Sequence, residues 1–314
     1  MEATNHWSSA CEAKRVEASH EEFSARLAQV ARRDGVVEPV AGLTIHRASA
    51  PTGLAHGVSF PSFCLVAQGS KEVLLGDNCY QYDPAHYLIA TVALPYAAWI
   101  KEASPERPYL GFVLRLDAMM IGSVLAEVGH VAQQQQAPVT AIDVRPLDVD
   151  LLDAAVRLVR LLESPTDVRV LAPPLMREIV YRLLRDGQSE RLHQIAVLGG
   201  NNYRIAEALE WLRKDFDQPL RIEEIARGLG MSISSFNHHF RTLTAMSPLQ
   251  FQKQLRLQEA RRLMLSNGLD AKSAGYCVGY NDASHFNREY KRLFGQPPLR
   301  DMERLREAST LAAN

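Results

Sequence analysis

The hydrophobic pattern changes period twice along the chain. Residues 1–35 are largely polar, with one helix predicted around Glu21–Arg33. From Gly42 to about Leu116 the apolar residues fall in short β-prone runs: LTIHRA, SFCLVAQG, KEVLLGD, CYQY, YLIATVAL, AAWIKEA and YLGFVLRL. Turn signals separate them, among them Ala50-Pro51-Thr52-Gly53, Gly76-Asp77-Asn78 and Asp83-Pro84. Short strands broken by turns every ~8–12 residues predict a β-sandwich or small barrel. The Gly-Asp-Asn triplet predicts a hairpin, because these residues tolerate positive φ.

After Asp117 the period becomes helical. A helix is predicted over Ala118–His130, followed by a polar loop at Gln133–Gln136. Within Leu147–Glu163 the residues Leu151, Leu152, Ala155, Val156, Val159 and Leu162 make one apolar stripe. Ser164-Pro165-Thr166 ends that helix. Pro173-Pro174 then predicts the start of another, running to Leu184, since a missing N–H costs nothing in a first turn. Such a helical hairpin suits dimer packing, a lid on the barrel, or simple packing within its own domain. Gly199-Gly200-Asn201-Asn202 breaks both neighbouring helical patterns and reads as a linker.

Beyond the linker no strand signal remains. A short helix holds Ile222, Ile225, Ala226 and Leu229 on one face; a turn at Gly230-Met231-Ser232 leads into SISSFNHHFRTLT. Ser232 is placed to cap the second helix with its hydroxyl. Phe236, Phe240 and Leu243 mark that helix's buried side, so Ser234, Asn237, His238 and Arg241 point away from it. Two short helices around a glycine-containing turn form a helix-turn-helix, whose second helix enters the DNA major groove. The pattern repeats: a helix over Ala271–Val278, a turn at Gly279-Tyr280-Asn281-Asp282, and a helix over Ala283–Phe294 with Asp282 as its cap. Here Phe286, Tyr290 and Leu293 are apolar, leaving Ser284, His285, Arg288, Lys291 and Arg292 exposed. Basic residues suit phosphates, whereas Ser, His and Asn read base edges. A long helix from Pro248 to Ser266 separates the units. Its length of roughly 27 Å, plus the flanking helix widths, approaches the ~34 Å repeat of DNA.

Composition bounds this picture. The chain has 314 residues, 46% of them hydrophobic, enough for two domains with real cores. A net charge of −1 hides an asymmetry, because 203–300 carries 15 Lys+Arg against 10 Asp+Glu while the first 202 residues carry 18 against 23. A basic block on a mildly acidic partner fits nucleic-acid binding. No window approaches the ~18–20 apolar residues of a membrane span, and the polar N-terminus lacks a signal-peptide core. Cys11, Cys64, Cys79 and Cys277 form no CxxC pair, which fits reduced thiols in the cytoplasm.

Val278-Gly279-Tyr280-Asn281-Asp282-Ala283-Ser284-His285-Phe286-Asn287-Arg288-Glu289-Tyr290-Lys291-Arg292-Leu293-Phe294-Gly295-Gln296-Pro297-Pro298 resembles the signature of the AraC/XylS family of bacterial transcription regulators. The resemblance covers about 203–300. It implies base contacts at Ser234, Asn237 and His238 in the first unit and at Ala283, Ser284, His285 and Arg288 in the second. Gly275 and Cys277 depart from it, standing where stronger helix formers are expected. Pro61–Gly69, Gly76-Asp77, Tyr82-Asp83 and Tyr109–Asp117 resemble one subgroup of these regulators. That similarity implies a cupin-like sensor barrel followed by dimerisation helices.

The expected architecture is α+β: a polar leader (1–35), a cupin-like β-barrel with a helical hairpin (36–198), a linker (199–202), an all-α tandem helix-turn-helix domain (203–300) and a tail (301–314). The expected function is sequence-specific binding of double-stranded promoter DNA. The resemblance implies an activator that contacts RNA polymerase and a possible homodimer, with no cofactor. In the barrel, Cys64 is the candidate effector or redox residue: a thiol on an inward strand face could meet an electrophile, or could be a small buried hydrophobe. Cys79 is a weaker candidate, Cys11 lies in the leader, and Cys277 is expected inside the second unit. Phe60, Phe63, Tyr82, Tyr87, Tyr96 and Trp99 are expected as barrel core or as the lining of a ligand pocket. A cupin-type metal enzyme with a DNA-binding tail is the alternative. It is disfavoured because His46, His56 and His86 form no ligand cluster.

Overall fold

The computed structural model describes residues 2–76, 78–129, 140–196 and 201–313. The first helix, α1 (Glu2–Val30), is longer than the predicted Glu21–Arg33. Phe23, Leu27 and Ala31 recur at a four-residue spacing and are all buried. Ser24 Oγ donates to the Ala67 carbonyl at 2.8 Å, and Arg160 bonds Glu22 at 2.6 Å. Residues 1–35 therefore do not stand apart from the β-domain: the last turns of α1 help cover it.

Among the described residues ten strands follow: β1 (Gly35–Val40), β2 (Leu43–Ala48), β3 (Ala55–Val58), β4 (Ser62–Gln68), β5 (Ser70–Leu75), β6 (Asn78–Tyr82), β7 (His86–Ala90), β8 (Pro95–Glu102), β9 (Tyr109–Arg115) and β10 (Ile142–Pro146). They form two antiparallel sheets, β1-β2-β9-β4-β7-β10 and β3-β8-β5-β6. The predicted hairpin joins β5 to β6, with Leu75 opposite Asn78.

Alternation divides the large sheet into two faces. Phe63 and Leu65 of β4, Phe112 and Leu114 of β9, and Tyr87 and Ile89 of β7 form one core with the helices. Cys64, Val66, Leu88 and Ala90 point the other way, toward Val73, Leu75, Tyr82 and Ala98. The six aromatics therefore do not line one cavity. Tyr82 and Tyr96 belong to the inter-sheet side, Phe63 and Tyr87 lie under the helices, and Phe60 stacks beneath Arg115 at 4.4 Å.

The helical layer comprises α2 (Ala118–Val128), α3 (Val149–Arg160), α4 (Pro165–Leu183) and α5 (Ser189–Ala196). Asp117 caps α2 and Asp148 caps α3. The predicted start at Pro173-Pro174 is wrong: α4 begins at Pro165 and carries both later prolines inside it. Ser164-Pro165 is at once the stop of one helix and the start of the next. The expected loop at Gln133–Gln136 lies outside the described residues.

The C-terminal part contains α6 (Asn201–Lys214), α7 (Ile222–Gly228), α8 (Ile233–Thr244), α9 (Pro248–Ser266), α10 (Ala271–Cys277), α11 (Ala283–Phe294) and α12 (Pro298–Ala313). Asn201 and Asn202 of the expected linker already belong to α6, while 197–200 lie outside the described residues. The expected tail is also corrected: 301–313 continue α12, and Asp301 is fully buried. Its carboxylate takes bonds from Arg261 Nε (2.8 Å), Tyr290 Oη (2.8 Å) and Arg304 (2.8 Å), which ties α9, α11 and α12 together.

Candidate nucleic-acid interface

Both second helices start on the caps that the sequence supplies. Ser232 Oγ accepts from Ser235 N at 3.2 Å; Asp282 accepts from Ser284 N and His285 N, both at 3.0 Å. Phe236, Phe240 and Leu243 anchor α8, and Phe286 and Tyr290 anchor α11, with Leu293 half-buried. Gly275 has a packing reason: a Cβ there would lie 3.0 Å from Cγ of Phe286, so a larger residue would push the Phe286 ring aside by a few tenths of an ångström. Cys277, expected inside this unit, is exposed, because Ala274 and Gly275 form the inward side of α10.

The opposite faces present the expected polar set. Ser234, His238 and Arg241 of α8 are exposed and Asn237 is half-buried. On α11, Ser284, His285, Arg288 and Lys291 are exposed and Ala283 is half-buried. Their electrostatic surroundings differ. Buried Glu289 takes Arg292 at 2.9 Å and Lys253 at 3.3 Å, and His285 Nε2 lies 4.0 Å from it. Arg241, Arg288 and Lys291 form no ion pair among the described residues, so their charge faces outward. Phosphate contact needs such cations, whose counterions are released on binding.

Arg256, on α9, is the residue that sequence reasoning missed. Its guanidinium donates to four backbone carbonyls: Phe216 (2.6 Å), Asp217 (3.0 Å) and Gln218 (2.8 Å) before the first unit, and Gly279 (2.9 Å) in the turn of the second. Gln252 adds a bond to Gln218 O at 2.8 Å. One side chain thus fixes the two units relative to each other. With 19 residues, α9 is about 28 Å long.

The β-domain touches both units. Ala141 N donates to Leu243 O at 3.1 Å, at the end of α8. Gly76, in the β5–β6 turn, comes so close that a Cβ would lie 2.3 Å from Ala245 O. The His56 ring of β3 meets Phe294 of α11 edge-on at 4.8 Å. Burial, with help from the Arg261 charge, holds His56 down at about 4, so this contact is made by a neutral ring. Below these points the inter-sheet core runs without a break into Phe236, Phe240 and Phe251 of the first unit.

Within the β-domain, Cys64 lies between the sheets at 8% exposure, with Ser62 Oγ 3.7 Å from its sulfur. Burial pushes its thiol up, against the smaller opposing pulls of Ser62 and Lys71. Cys79 is exposed, 3.9 Å from Glu72 Oε2, and burial with that carboxylate raises it too. Cys11 falls where side chains are not described. The three histidines weighed as metal ligands are scattered. His46 belongs to β2, His56 meets α11, and His86 bonds Asp83 at 2.7 Å; among the described residues no group of three or more His, Cys, Asp and Glu converges.

A two-sheet β-domain fused to two capped helix-turn-helix units defines the class of protein by its fold. Residues 39–191 match the AraC-type transcriptional regulator N-terminus, and 225–304 match a helix-turn-helix domain. The chain belongs to the AraC/XylS family, in the subgroup with this N-terminal domain. It is similar to the HTH-type transcriptional regulator ArgR of Pseudomonas aeruginosa, 25% identical over 140 residues, covering 44% of this chain and 43% of that protein. The HTH-type transcriptional activator RhaS of Klebsiella pneumoniae is 27% identical over 108 residues, 34% of this chain and 38% of RhaS. The matches thus span about two fifths of these curated relatives. A 1.65 Å structure of ToxT from Vibrio cholerae shares the fold with a TM-score of 0.53 at 10% identity, over 83% of this chain and 97% of ToxT. Among the described residues no helix is long and apolar enough to cross a membrane.

Proposed function

We propose that this protein is a sequence-specific DNA-binding transcription regulator, an activator working in the cytoplasm, whose N-terminal domain takes a small-molecule effector. The observation that carries the reading is the pair of capped helices α8 and α11, each presenting on an exposed face polar groups and cations that form no ion pair among the described residues. One chain then reads two successive major grooves, with Arg256 setting the spacing. Contact with RNA polymerase and assembly into a homodimer belong to the same reading. RhaS is named as an activator, and ToxT has been solved bound to an unsaturated fatty acid, which supports activation and effector control here.

The recognition faces are open with the β-domain in place, so control works through geometry rather than by covering them. The β-domain grips α8 at Leu243 and Ala245 and α11 at Phe294. An effector that prefers one packing of the sheets would therefore shift the angle between the units, and only a difference in affinity between the two packings can do so. The buried, protonated thiol of Cys64 favours a reversibly bound effector over an electrophile.

Arg288 gives the direct test. Arg288→Ala is expected to weaken binding to a selected duplex by about 1–3 kcal/mol and to relax preference at one base-pair position. Affinity and preference that both stay unchanged in a gel-shift titration would remove Arg288 from the reading set.

A further inference from the structure

Between them α8 (ISSFNHHFRTLT) and α11 (ASHFNREYKRLF) carry one acidic residue, Glu289. A carboxylate repels phosphates, so one on a helix that also carries Arg288, Lys291 and Arg292 needs a physical reason. Glu289 is 8% exposed and sits where three groups meet. Arg292 Nη2 donates to Oε2 at 2.9 Å and Lys253 Nζ lies 3.3 Å from the same oxygen, while His285 Nε2 lies 4.0 Å from Oε1. The His285 ring also meets Tyr280 edge-on with centroids 5.5 Å apart, and its backbone N–H donates to Asp282 at 3.0 Å. Burial, and then the charge of Glu289, push the Tyr280 phenol up to about 12, so His285 meets a neutral ring.

Ion pairs differ in what it takes to break them. Arg213 and Glu210 of α6 pair at 2.8 Å on an exposed face, where water can replace either partner at little cost. Glu289 is nearly buried, so moving its cations onto a phosphate would leave its charge uncompensated, which is expensive. Arg292, whose side chain is 71% exposed, is therefore committed to Glu289 despite its reach into solvent, and so is Lys253 of α9. One turn before Arg292 on the same stripe, Arg288 forms no ion pair among the described residues; neither does Lys291. One carboxylate thus divides the cations of this surface into two that are held and two that are free to meet a duplex.

We propose that Glu289 is a specificity-determining positioning residue of α11: it orients His285 for one base edge and withholds Lys253 and Arg292 from the phosphates, so that the second half-site is selected by base contacts more than by charge. The proposal rests on the regulator reading, which it deepens. Phosphate contacts add affinity for every sequence alike, whereas base contacts discriminate, so removing two cations from the phosphate set raises the ratio of specific to non-specific binding.

The test uses the full chain, a duplex enriched by selection and a scrambled duplex of the same length, each titrated with salt. Lys291→Gln should lower the salt slope by about one unit, whereas Arg292→Gln should leave it unchanged. Glu289→Gln keeps the size of the side chain and drops its charge. It should tighten binding to the scrambled duplex, steepen the slope by about one to two units, and relax preference at one base pair of the second half-site about fivefold. Preference at the first half-site should not move, and Glu289→Asp, which keeps the charge, should keep the wild-type slope. A slope loss in Arg292→Gln equal to that in Lys291→Gln would overturn the proposal, whether or not Glu289→Gln folds, which a melting curve checks. So would a folded Glu289→Gln with wild-type slope and preference, or one that weakens both duplexes alike, as lost packing alone would do. A wild-type chain for which selection enriches no duplex overturns the regulator reading and this proposal with it. Wild-type selectivity with an unmoved slope in Glu289→Gln overturns this proposal alone.

Discussion

Asp301→Ala is expected to cost about 3–5 kcal/mol of stability, the usual penalty for breaking a buried ion pair by removing one partner. The carboxylate is fully buried and holds Arg261 through two bonds of 2.8 and 2.9 Å, Tyr290 at 2.8 Å and Arg304 at 2.8 Å. Truncation strands the Arg261 guanidinium, whose side chain is only 12% exposed, and the Tyr290 hydroxyl on α11. The effect should reach function by a defined route. Tyr290 loses its anchor, α11 loosens on α9 and α12, and the second half-site is read poorly while the first is still read. Urea denaturation measures the stability change; footprinting on a two-half-site duplex measures the asymmetry. Asp301→Asn, which keeps the shape and an acceptor, should lose less. Wild-type stability in Asp301→Ala would show that the network contributes nothing.

Arg256→Ala is the second large effect, and it differs in kind. Hydrogen bonds from a charged donor contribute about 1.5–3 kcal/mol each, and this side chain makes four of them to two different parts of the domain. Losing them is expected to cost about 3 kcal/mol or more of stability. The sharper expectation concerns spacing. With the loop at Phe216–Gln218 no longer tied to the Gly279 turn, the variant should tolerate half-sites moved by one or two base pairs, which the wild type is expected to reject. Measured affinities across a spacer series read this directly. A variant that is as strict as the wild type would mean that the units are held by α9 packing alone.

The sequence displays some of this structure and hides the rest for physical reasons. The runs that became β2, β4 to β9 were legible because half- or fully buried strands must alternate or be continuously apolar. β1, β3 and β10, which were not, lie at sheet edges. An edge strand pairs on one side only and tolerates Pro39, Gly57 or Pro146 within it, so its β signal is diluted. In α1 the buried set is a narrow stripe through a polar helix, which made the segment look like a leader. The two prolines inside α4 sent the predicted start to the wrong place, because a proline at N1 and one in mid-helix look alike in a string of letters.

The two helix-turn-helix units were the most legible part. Their caps, turns and apolar stripes are local properties, and the exposed sets on α8 and α11 follow from 3.6-residue periodicity alone. Arg256 left no such trace. Its partners are backbone carbonyls, and nothing in the sequence marks which carbonyls a distant arginine will reach. The grip of His56, Gly76 and Ala141 on the two units is equally silent, since it depends on how two separately patterned domains dock. Cys64 was placed on an inward strand face by alternation, and it does lie buried between the two sheets.

One chain is expected to read two half-sites with two rigidly spaced helices. Selection of random duplexes against the full-length protein, followed by a salt titration of the best sequence, should yield an enriched motif with two half-sites about 10 base pairs apart on one face of the duplex. Affinity should fall steeply with salt, and the slope should drop by about one unit when Lys291, expected to meet a phosphate, is removed. A single enriched half-site, or no enrichment over bulk DNA at any salt concentration, would contradict it.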